Sequence, residues 1–190
     1  MSSDTIVLLP SKSHIADKVG AVITFNATQN TLVSSNTGAI AFTDFVDGDI
    51  VAVTGSASNN STFTVSGSPT ATTLTVLETV ATEAEGASVT IDHQGIYSVK
   101  HKGDGFYGYT DGLHTVAYHL NAYIGTVKMQ ASLSSTPTTS DWFDVDGTTV
   151  TYASAETSNK GYNFTGNFVW VRVAPTGMTA GSVTKILYNY

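Results

Sequence analysis

Three aromatic side chains lie close together on a glycine-rich segment in the middle of the chain. The segment reads Gly-Asp-Gly-Phe-Tyr-Gly-Tyr from residue 103 to residue 109 and carries Phe106, Tyr107 and Tyr109. It lacks the Lys-Ser/Thr pair of a phosphate-binding loop, so a surface loop or contact arm that presents aromatic rings is the better interpretation. Such rings either stack on sugars or anchor a neighbouring protein, and the second use is the commoner. Trp142, next to a predicted hairpin, is the fourth candidate contact residue.

Five histidines and a run of aspartates raise the question of a metal site. His114 and His119 are an odd number of residues apart, so in a strand they face opposite sides of the sheet and do not ligate one ion together. Asp141, Asp144 and Asp146 precede a glycine as in a calcium loop, but the later bidentate Glu of an EF-hand is missing. We therefore predict no metal site, with the histidines held by ordinary hydrogen bonds and the aspartates explained by a turn.

The carboxylates and hydroxyl groups do not form a catalytic pattern either. Asp47 and Asp49 could be posed as the paired carboxylates of a glycoside hydrolase, but Gly48 between them makes a turn the simpler interpretation. No Gly-x-Ser-x-Gly motif is present, and with 30 Thr and 20 Ser in 190 residues a nearby hydroxyl says little about catalysis. We predict that the chain is not an enzyme and needs no cofactor.

Charge and composition exclude further classes of protein. Eight Lys and Arg against fifteen Asp and Glu give a net charge of −7, which offers a nucleic-acid backbone little to bind. Without cysteine there is no disulfide and no thiolate metal site. The longest apolar stretch, Ile6 to Leu9, is too short to span a bilayer, and the first four residues lack the basic start of a signal peptide. We expect neither a nucleic-acid partner nor a membrane partner.

Strands rather than helices are expected to position these groups. Runs rich in Val, Ile, Thr, Phe and Tyr alternate with Gly, Asn, Asp and Ser, and only Leu77–Ala87 has apolar residues at helical spacing, so it is a loop or a short helix. Val19–Phe25 alternates as a strand. Four short strands follow within about 50 residues, which implies a small barrel or curled sheet; they are Ile50–Thr54, Thr62–Ser66, Thr72–Leu77 and Ser88–Ile91.

The C-terminal half predicts a β-sandwich. Asp146-Gly147 is its strongest hairpin signal, because a type I′ turn favours positive φ at both central residues. Eight strand candidates follow one another at the short spacing of a sandwich; they are Ile96–Lys102, His114–Ala122, Ile124–Leu133, Trp142–Val145, Thr148–Ala153, Tyr162–Phe164, Phe168–Val173 and Val183–Tyr190.

These patterns predict an all-β protein: a small β-barrel-like module plus a jelly-roll-like antiparallel β-sandwich. The expected parts are an N-terminal arm and strand at residues 1–35, the module at residues 36–93 and the sandwich at residues 94–190. The module is either inserted into the first domain or the second of three parts in series.

The module and the sandwich each resemble parts of known virus proteins. Four stretches resemble a small β module that recurs in virion proteins of tailed bacteriophages. They are Phe-Thr-Asp-Phe-Val-Asp-Gly-Asp-Ile-Val-Ala-Val-Thr-Gly-Ser (42–56), Asn-Ser-Thr-Phe-Thr-Val (60–65), Ala-Thr-Thr-Leu-Thr-Val (71–76) and Glu-Ala-Glu-Gly-Ala-Ser-Val-Thr-Ile (83–91). The region from Ala131 through Ser140-Asp-Trp-Phe143 and Tyr162–Arg172 to Tyr188 resembles the C-terminal β-sandwich of structural proteins from marine tailed phages. The motifs are structural and carry no catalytic residues.

The resemblance implies a non-enzymatic structural protein of the virion. Capsid decoration, or a neck or tail accessory subunit acting through protein–protein contacts, is the expected role. The expected partners are further copies of the chain, as a homotrimer, and other virion proteins such as the major capsid, neck or tail proteins. The alternative is a carbohydrate- or receptor-binding module of a tail fibre or baseplate that holds glycans through Trp142, Tyr107 and Tyr109.

Overall fold

A computed structural model describes residues 5–108 and 112–190, and it confirms the predicted all-β class with antiparallel sheets. One helical turn, α1 (Asp104–Tyr107), and one 3-10 turn, Thr139–Asp141, interrupt the strands of the described residues. The strands, in chain order, are β1 Ile6–Leu9, β2 Lys12–Ser13, β3 Lys18–Gly20, β4 Ile23–Asn26, β5 Thr31–Ser34, β6 Asp49–Thr54, β7 Thr62–Thr64, β8 Thr73–Thr75, β9 Val89–Ile96, β10 His101–Lys102, β11 Leu113–Ser132, β12 Phe143–Asp144, β13 Val150–Thr165 and β14 Trp170–Asn189.

The chain divides into two compact units. The long-strand unit contains residues up to His14 and from Tyr97 to Tyr190, and the short-strand unit contains Ile15–Ile96. The short-strand unit is therefore an insertion in the sequence of the long-strand unit. This division differs from the expected boundaries, which put residues 1–35 in a separate arm and strand. Strands β1 and β2 pair with β14, whereas β4 and β5 pair within the short-strand unit.

The short-strand unit is built from strands of three to eight residues. Strand β5 lies between β4 and β8 in one sheet, and β9 pairs with β3 and β6, while β6 also pairs with β7. The predicted strand Val19–Phe25 is divided between β3 and β4, so its alternation holds only in β4, where Ile23 and Phe25 are buried, whereas Val19 in β3 is 55% exposed. The segment Leu77–Ala87 is irregular rather than helical, because Phe25 and Glu83 exchange backbone hydrogen bonds across it. Its apolar core is almost wholly aliphatic and phenylalanine: Ile15, Ile23, Phe25, Leu32, Ile40, Phe42, Phe45, Val51, Val53, Phe63, Val65, Leu74, Val76, Val80, Val89 and Ile91.

The long-strand unit has fewer and longer strands than its sequence predicts. The candidates His114–Ala122 and Ile124–Leu133 join into the 20-residue β11, and Phe168–Val173 and Val183–Tyr190 join into the 20-residue β14. Irregularities in register let these strands bend without ending. One of them brings Gly181 against Ala122, where a Cβ would lie 2.0 Å from the Ala122 carbonyl oxygen, so only glycine fits.

The predicted hairpin at Asp146-Gly147 does not form. Gly147 has φ of 76°, but Asp146 is not at positive φ, so the turn is not type I′. The strands before and after it, β12 and β13, both pair with β11, at Gln130↔Asp144 and Val127↔Val150. The turn therefore links two strands that follow each other along the same edge of β11, and the long partner strand replaces the local pairing.

Candidate contact surface

The glycine-rich segment at residues 103–108 is a short helix packed on neighbouring backbone. The amide of Gly105 donates a 2.9 Å hydrogen bond to the Phe168 carbonyl. A Cβ at Gly103 would lie 2.5 Å from that same oxygen, and one at Gly105 would lie 2.7 Å from the Asn167 carbonyl oxygen. The glycines therefore allow α1 to lie directly against residues 167–168, which fixes the aromatic side chains that it carries.

Phe106 and Tyr107 are exposed on this helix, as the contact hypothesis requires. Their exposed fractions are 42% and 46%, and their ring centroids are 5.3 Å apart. Phe106 also lies 5.2 Å from the ring of Trp170, the first residue of β14. Two lysines lie over these rings: Lys102 Nζ is 4.0 Å from the Phe106 centroid, and Lys100 Nζ is 4.4 Å from the Trp170 centroid. Tyr109 lies outside the described residues.

Strand register extends this group along one face of the sheet. Trp170 and Arg172 are two residues apart in β14, so their side chains project from the same face. Lys102 is directly opposite Trp170, and Gln130 is directly opposite Arg172. Arg172 Nε donates a 2.8 Å hydrogen bond to Gln130 Oε1. This face of β10, β11 and β14 therefore carries aromatic and cationic groups in one row.

Trp142 belongs to the same row, but it is held there by a cation. The guanidinium carbon of Arg172 lies 4.2 Å from the Trp142 ring and 4.0 Å from the Tyr97 ring, so both rings stack on Arg172. Burial lowers the pKa of Arg172 to about 10, with the opposing influences of Tyr97 and Asp144 too small to restore it. Trp142 is half-buried and covers this cation. We call the whole row the aromatic–cation face; its members are Tyr97, Lys100, Lys102, Phe106, Trp142, Trp170 and Arg172.

The lysines of the aromatic–cation face differ from most other lysines of the chain. Lys18, Lys128 and Lys160 pair with carboxylates at 2.6, 2.8 and 2.9 Å. Lys100 and Lys102 instead lie over aromatic rings, and neither has a carboxylate within 4.0 Å among the described residues. These two lysines therefore present positive charge that no acidic side chain of the described residues pairs with at close range.

The other aromatic candidate, Tyr107, connects the face to the end of β14. Its ring is stacked on Tyr190 at a centroid distance of 6.2 Å, and Tyr190 in turn stacks on the buried Tyr188 at 5.5 Å. Exposed Tyr107 is thus backed by a column of rings that reaches the interior of the unit.

Below this column, His114 is held by hydrogen bonds on both ring nitrogens. Its Nε2 lies 2.7 Å from the Gly166 carbonyl oxygen, which only accepts, so Nε2 carries the proton. Nδ1 then accepts from the Tyr188 hydroxyl at 2.7 Å. Burial first, and the nearby Asp104 carboxylate second, raise the pKa of Tyr188, which keeps it a donor. Asp104 Oδ2 is buried 3.8 Å from His114 Nε2 and accepts no hydrogen bond in the described residues.

The short-strand unit has a comparable buried pair that explains two of the acidic candidates. The amide of Ile15 donates to His93 Nδ1 at 3.3 Å, and His93 Nε2 lies 3.4 Å from Asp49 Oδ1, with both side chains fully buried. Asp49 Oδ2 accepts from the Val46 amide at 2.8 Å, and Asp47 Oδ1 accepts from the Gly67 amide at 2.7 Å. Both aspartates therefore bind backbone groups at the turn that Gly48 forms.

The aspartates of the calcium hypothesis also bind the chain itself. Asp141 accepts from the amide and hydroxyl of Thr138, and these bonds hold the pKa of its carboxyl below the ordinary value. Burial raises the pKa of Asp144, but hydrogen bonds from Lys128 and Gln130 outweigh it and leave the pKa lowered. Within the described residues, no three histidine or acidic side chains converge where they could hold a metal ion.

One polar network was missed in the sequence. The Glu83 carboxylate accepts hydrogen bonds from the Ser56 hydroxyl, the Ala57 and Ser58 amides and the Asn59 side chain at 2.6–3.1 Å, and these bonds lower its pKa. A pocket of about 370 Å³ lies beside Asn59, with Phe63 and Val80 in its wall. The partners of Glu83 are 24 to 27 residues away in sequence, so no short sequence motif indicates this network.

The members of the aromatic–cation face are only partly visible in the sequence. The alternation in β14 places Trp170 and Arg172 on one face, and the glycine-rich segment marks Phe106 and Tyr107. The contribution of Lys100 and Lys102 depends on the pairing of β10 with β14, which no local pattern indicates.

No helix among the described residues is long and apolar enough to span a membrane. Comparison of the chain with protein-family models and with curated protein sequences finds no match to either.

Proposed function

We propose that this chain is a non-enzymatic structural protein of a tailed-phage virion, acting as a capsid decoration or a neck or tail accessory subunit. The resemblance of its β module and sandwich motifs to phage structural proteins gives the class. The observation that carries a contact role is the aromatic–cation face, where exposed Phe106 is fixed on Trp170 and α1 rests on glycine-mediated backbone contacts. Aromatic and Arg side chains on a rigid support are the groups that dominate protein–protein interfaces.

The arrangement of the polar groups supports assembly over chemistry. His93, His114 and Asp49 are fully buried, and each makes a hydrogen bond or close polar contact that ties one segment of its unit to another. The side chains exposed on the aromatic–cation face are instead aromatic rings and the lysines that lie over them. The partners in this proposal are further copies of the chain, as a homotrimer, and other virion proteins, and the location is the virion.

The test is the protein composition of purified particles of the phage that encodes the chain. Mass spectrometry of gradient-purified virions should find the chain in a fixed ratio to the major capsid protein, and electron cryo-microscopy should place it on the head, neck or tail. Absence of the chain from purified particles would overturn the proposal.

A matched pair of variants tests the role of the face in the particle. Phe106→Ser should lower incorporation of the chain, because it removes an exposed ring from the aromatic–cation face. Leu113→Ser removes a side chain of 56% exposure that is not a member of the aromatic–cation face and should not. Equal incorporation of both variants would move the contact to another surface.

The second candidate function is glycan or receptor recognition, for which the exposed rings of Phe106 and Tyr107 are the favouring observation. Trp142 is less suited to stack on a sugar than its sequence position suggests, since Arg172 already stacks on its ring. Binding on a glycan array that is lost in Phe106→Ala and kept in Trp142→Ala would favour this candidate.

A further inference from the structure

The two units differ in net charge, because all of the chain's excess negative charge lies in one of them. The long-strand unit has seven Lys and Arg and seven Asp and Glu, so its formal charge is zero. The short-strand unit has one Lys and eight Asp and Glu, so it carries the entire charge of −7. Its single cation, Lys18, is already paired with Asp44 at 2.6 Å. Within the long-strand unit, three of the seven cations lie on the aromatic–cation face.

We propose that the aromatic–cation face of one copy docks on the acidic surface of the short-strand unit of a second copy. This inference rests on the assembly role proposed above and names its contact. Lys100 and Lys102 supply positive charge without a close acidic partner among the described residues, and the short-strand unit of a second copy supplies unbalanced negative charge. Complementary charge of this kind steers encounter and fixes register between partners.

The short-strand unit also exposes apolar groups of the kind that such a contact needs. Asp17, Asp47 and Glu85 are exposed carboxylate-bearing residues of the short-strand unit. Val46 next to Asp47 is 46% exposed, and Leu77 next to Glu78 is 59% exposed. Phe106 can therefore lose water against exposed aliphatic side chains while the lysines meet carboxylates, which is the usual division between the apolar centre and polar rim of an interface.

The type of contact limits the assemblies that copies of the chain can form. It joins two different surfaces of the chain, so it is heterologous, and repetition of one heterologous contact gives either a ring or an open filament. The homotrimer of the proposed function would be one such ring. An acidic polysaccharide or another acidic protein would meet the same lysines, and the experiment separates these occupants from a second copy.

The experiment measures the mass of the full chain in solution by light scattering and sedimentation velocity. At about 50 mM salt the chain should associate at micromolar concentration. At about 500 mM salt, charges are screened beyond a few ångströms, so the dissociation constant should rise at least about tenfold. Lys100→Glu/Lys102→Glu should weaken association by about tenfold or more. Lys160→Glu/Lys185→Glu makes the same change in net charge at two exposed lysines away from the face and should have a much smaller effect.

A second set of variants identifies the acidic partner surface. Asp17→Lys/Asp47→Lys/Glu85→Lys should also weaken association, and its combination with Lys100→Glu/Lys102→Glu in one chain should restore it. Circular dichroism of every variant checks that each is folded. Restored association of the combined chain supports the contact, and association unaffected by the acidic-surface variant overturns it.

The remaining outcomes also decide the question. A wild-type chain that stays monomeric at about 50 mM salt overturns the inference, and lysine-dependent binding of such a monomer to polygalacturonate would assign the face to an acidic polysaccharide. A monomer that is nevertheless present in purified virions leaves the proposed virion role standing without the homotrimer. An oligomer absent from virions overturns the proposed function and leaves the contact between copies standing.

Discussion

The two units of this chain reach an all-β structure by different means. The short-strand unit closes an aliphatic and phenylalanine core with strands of three to eight residues, whereas the long-strand unit uses strands of 16 and 20 residues beside its shorter ones. In the long-strand unit the interior is rich in tyrosine, and the hydroxyls of Tyr118 and Tyr188 reach a carbonyl oxygen and a histidine nitrogen. The units also differ in what they expose, since the short-strand unit carries the whole net charge and the long-strand unit carries the aromatic–cation face.

The comparison also separates two ways of using a histidine. His93 lies fully buried beside a buried aspartate at a turn of the short-strand unit, and His114 lies fully buried in a stack of aromatic rings in the long-strand unit. In both, a defined set of hydrogen bonds fixes the ring, so each histidine acts as a polar cross-link between segments distant in sequence.

The largest effect should come from shortening the long-strand unit. Deletion of Ile186–Tyr190 removes the end of β14, which pairs with both β1 and β11, and it removes two side chains that are 0% and 1% exposed. Burial of each side chain contributes about 1.5–3 kcal/mol, whereas a typical free energy of unfolding is about 5–15 kcal/mol. We expect insoluble or thermally fragile protein, measured by solubility and by melting. A shortened chain that melts within about two degrees of the parent would show that this end of β14 is dispensable.

The core of the short-strand unit should respond nearly as strongly to a single substitution. Leu74→Ala opens a cavity at a side chain of 0% exposure and should lower the free energy of unfolding by about 2–5 kcal/mol. Leu77→Ala, three residues later at 59% exposure, is the matched control and should change it by less than about 0.5 kcal/mol. Denaturant titration measures both, and similar costs would mean that burial at residue 74 is not what stabilises the unit.

A smaller effect is expected from the loss of one buried hydrogen bond in the long-strand unit, the bond between Tyr188 and His114. Tyr188→Phe leaves His114 Nδ1 without its donor while keeping the ring stack, which should cost about 1–3 kcal/mol. Tyr97→Phe removes a hydroxyl but keeps the ring that stacks on Arg172, and it should cost less. If the two variants unfold at the same denaturant concentration, the hydroxyl of Tyr188 contributes nothing beyond its ring.

The smallest effect concerns pH and the short-strand unit. Since the folded-state pKa of Glu83 lies below its ordinary 4.5, its hydrogen bonds stabilise the fold above about pH 4.5, and this stabilisation is lost as pH falls through the folded pKa. Between about pH 6 and pH 3, Glu83→Gln should therefore lose less stability than the parent chain. Glu85→Gln, at an exposed carboxylate two residues away, is the control and should lose as much as the parent. Chemical denaturation at both pH values measures the difference, and an unchanged pH dependence in Glu83→Gln would contradict the assignment.

Some features follow from local sequence and held in the structure. Within Val19–Phe25 the alternation held for the part that forms β4, where Ile23 and Phe25 are buried, and the spacing of Trp170 and Arg172 put them on one face. His114 and His119, an odd number of residues apart, likewise lie on opposite sides of β11, with His114 buried and His119 half-buried. These predictions depend only on the two-residue period of a strand, which every strand obeys whatever its partner.

Pairing between distant segments was decided by tertiary structure alone. Asp146-Gly147 has the composition of a hairpin turn, yet β11 takes both flanking strands as partners, because a 20-residue strand offers more backbone hydrogen bonds than a local pair. The placement of β1 on β14, the stacking of Arg172 between Tyr97 and Trp142, and the four donors around Glu83 are of the same kind. Composition and the two-residue period of strands are enough to predict the all-β class, the net charge and the faces of single strands. Which strands are neighbours, and so which cations lie over which rings, depends on contacts between residues tens of positions apart, and local periodicity carries no information about them.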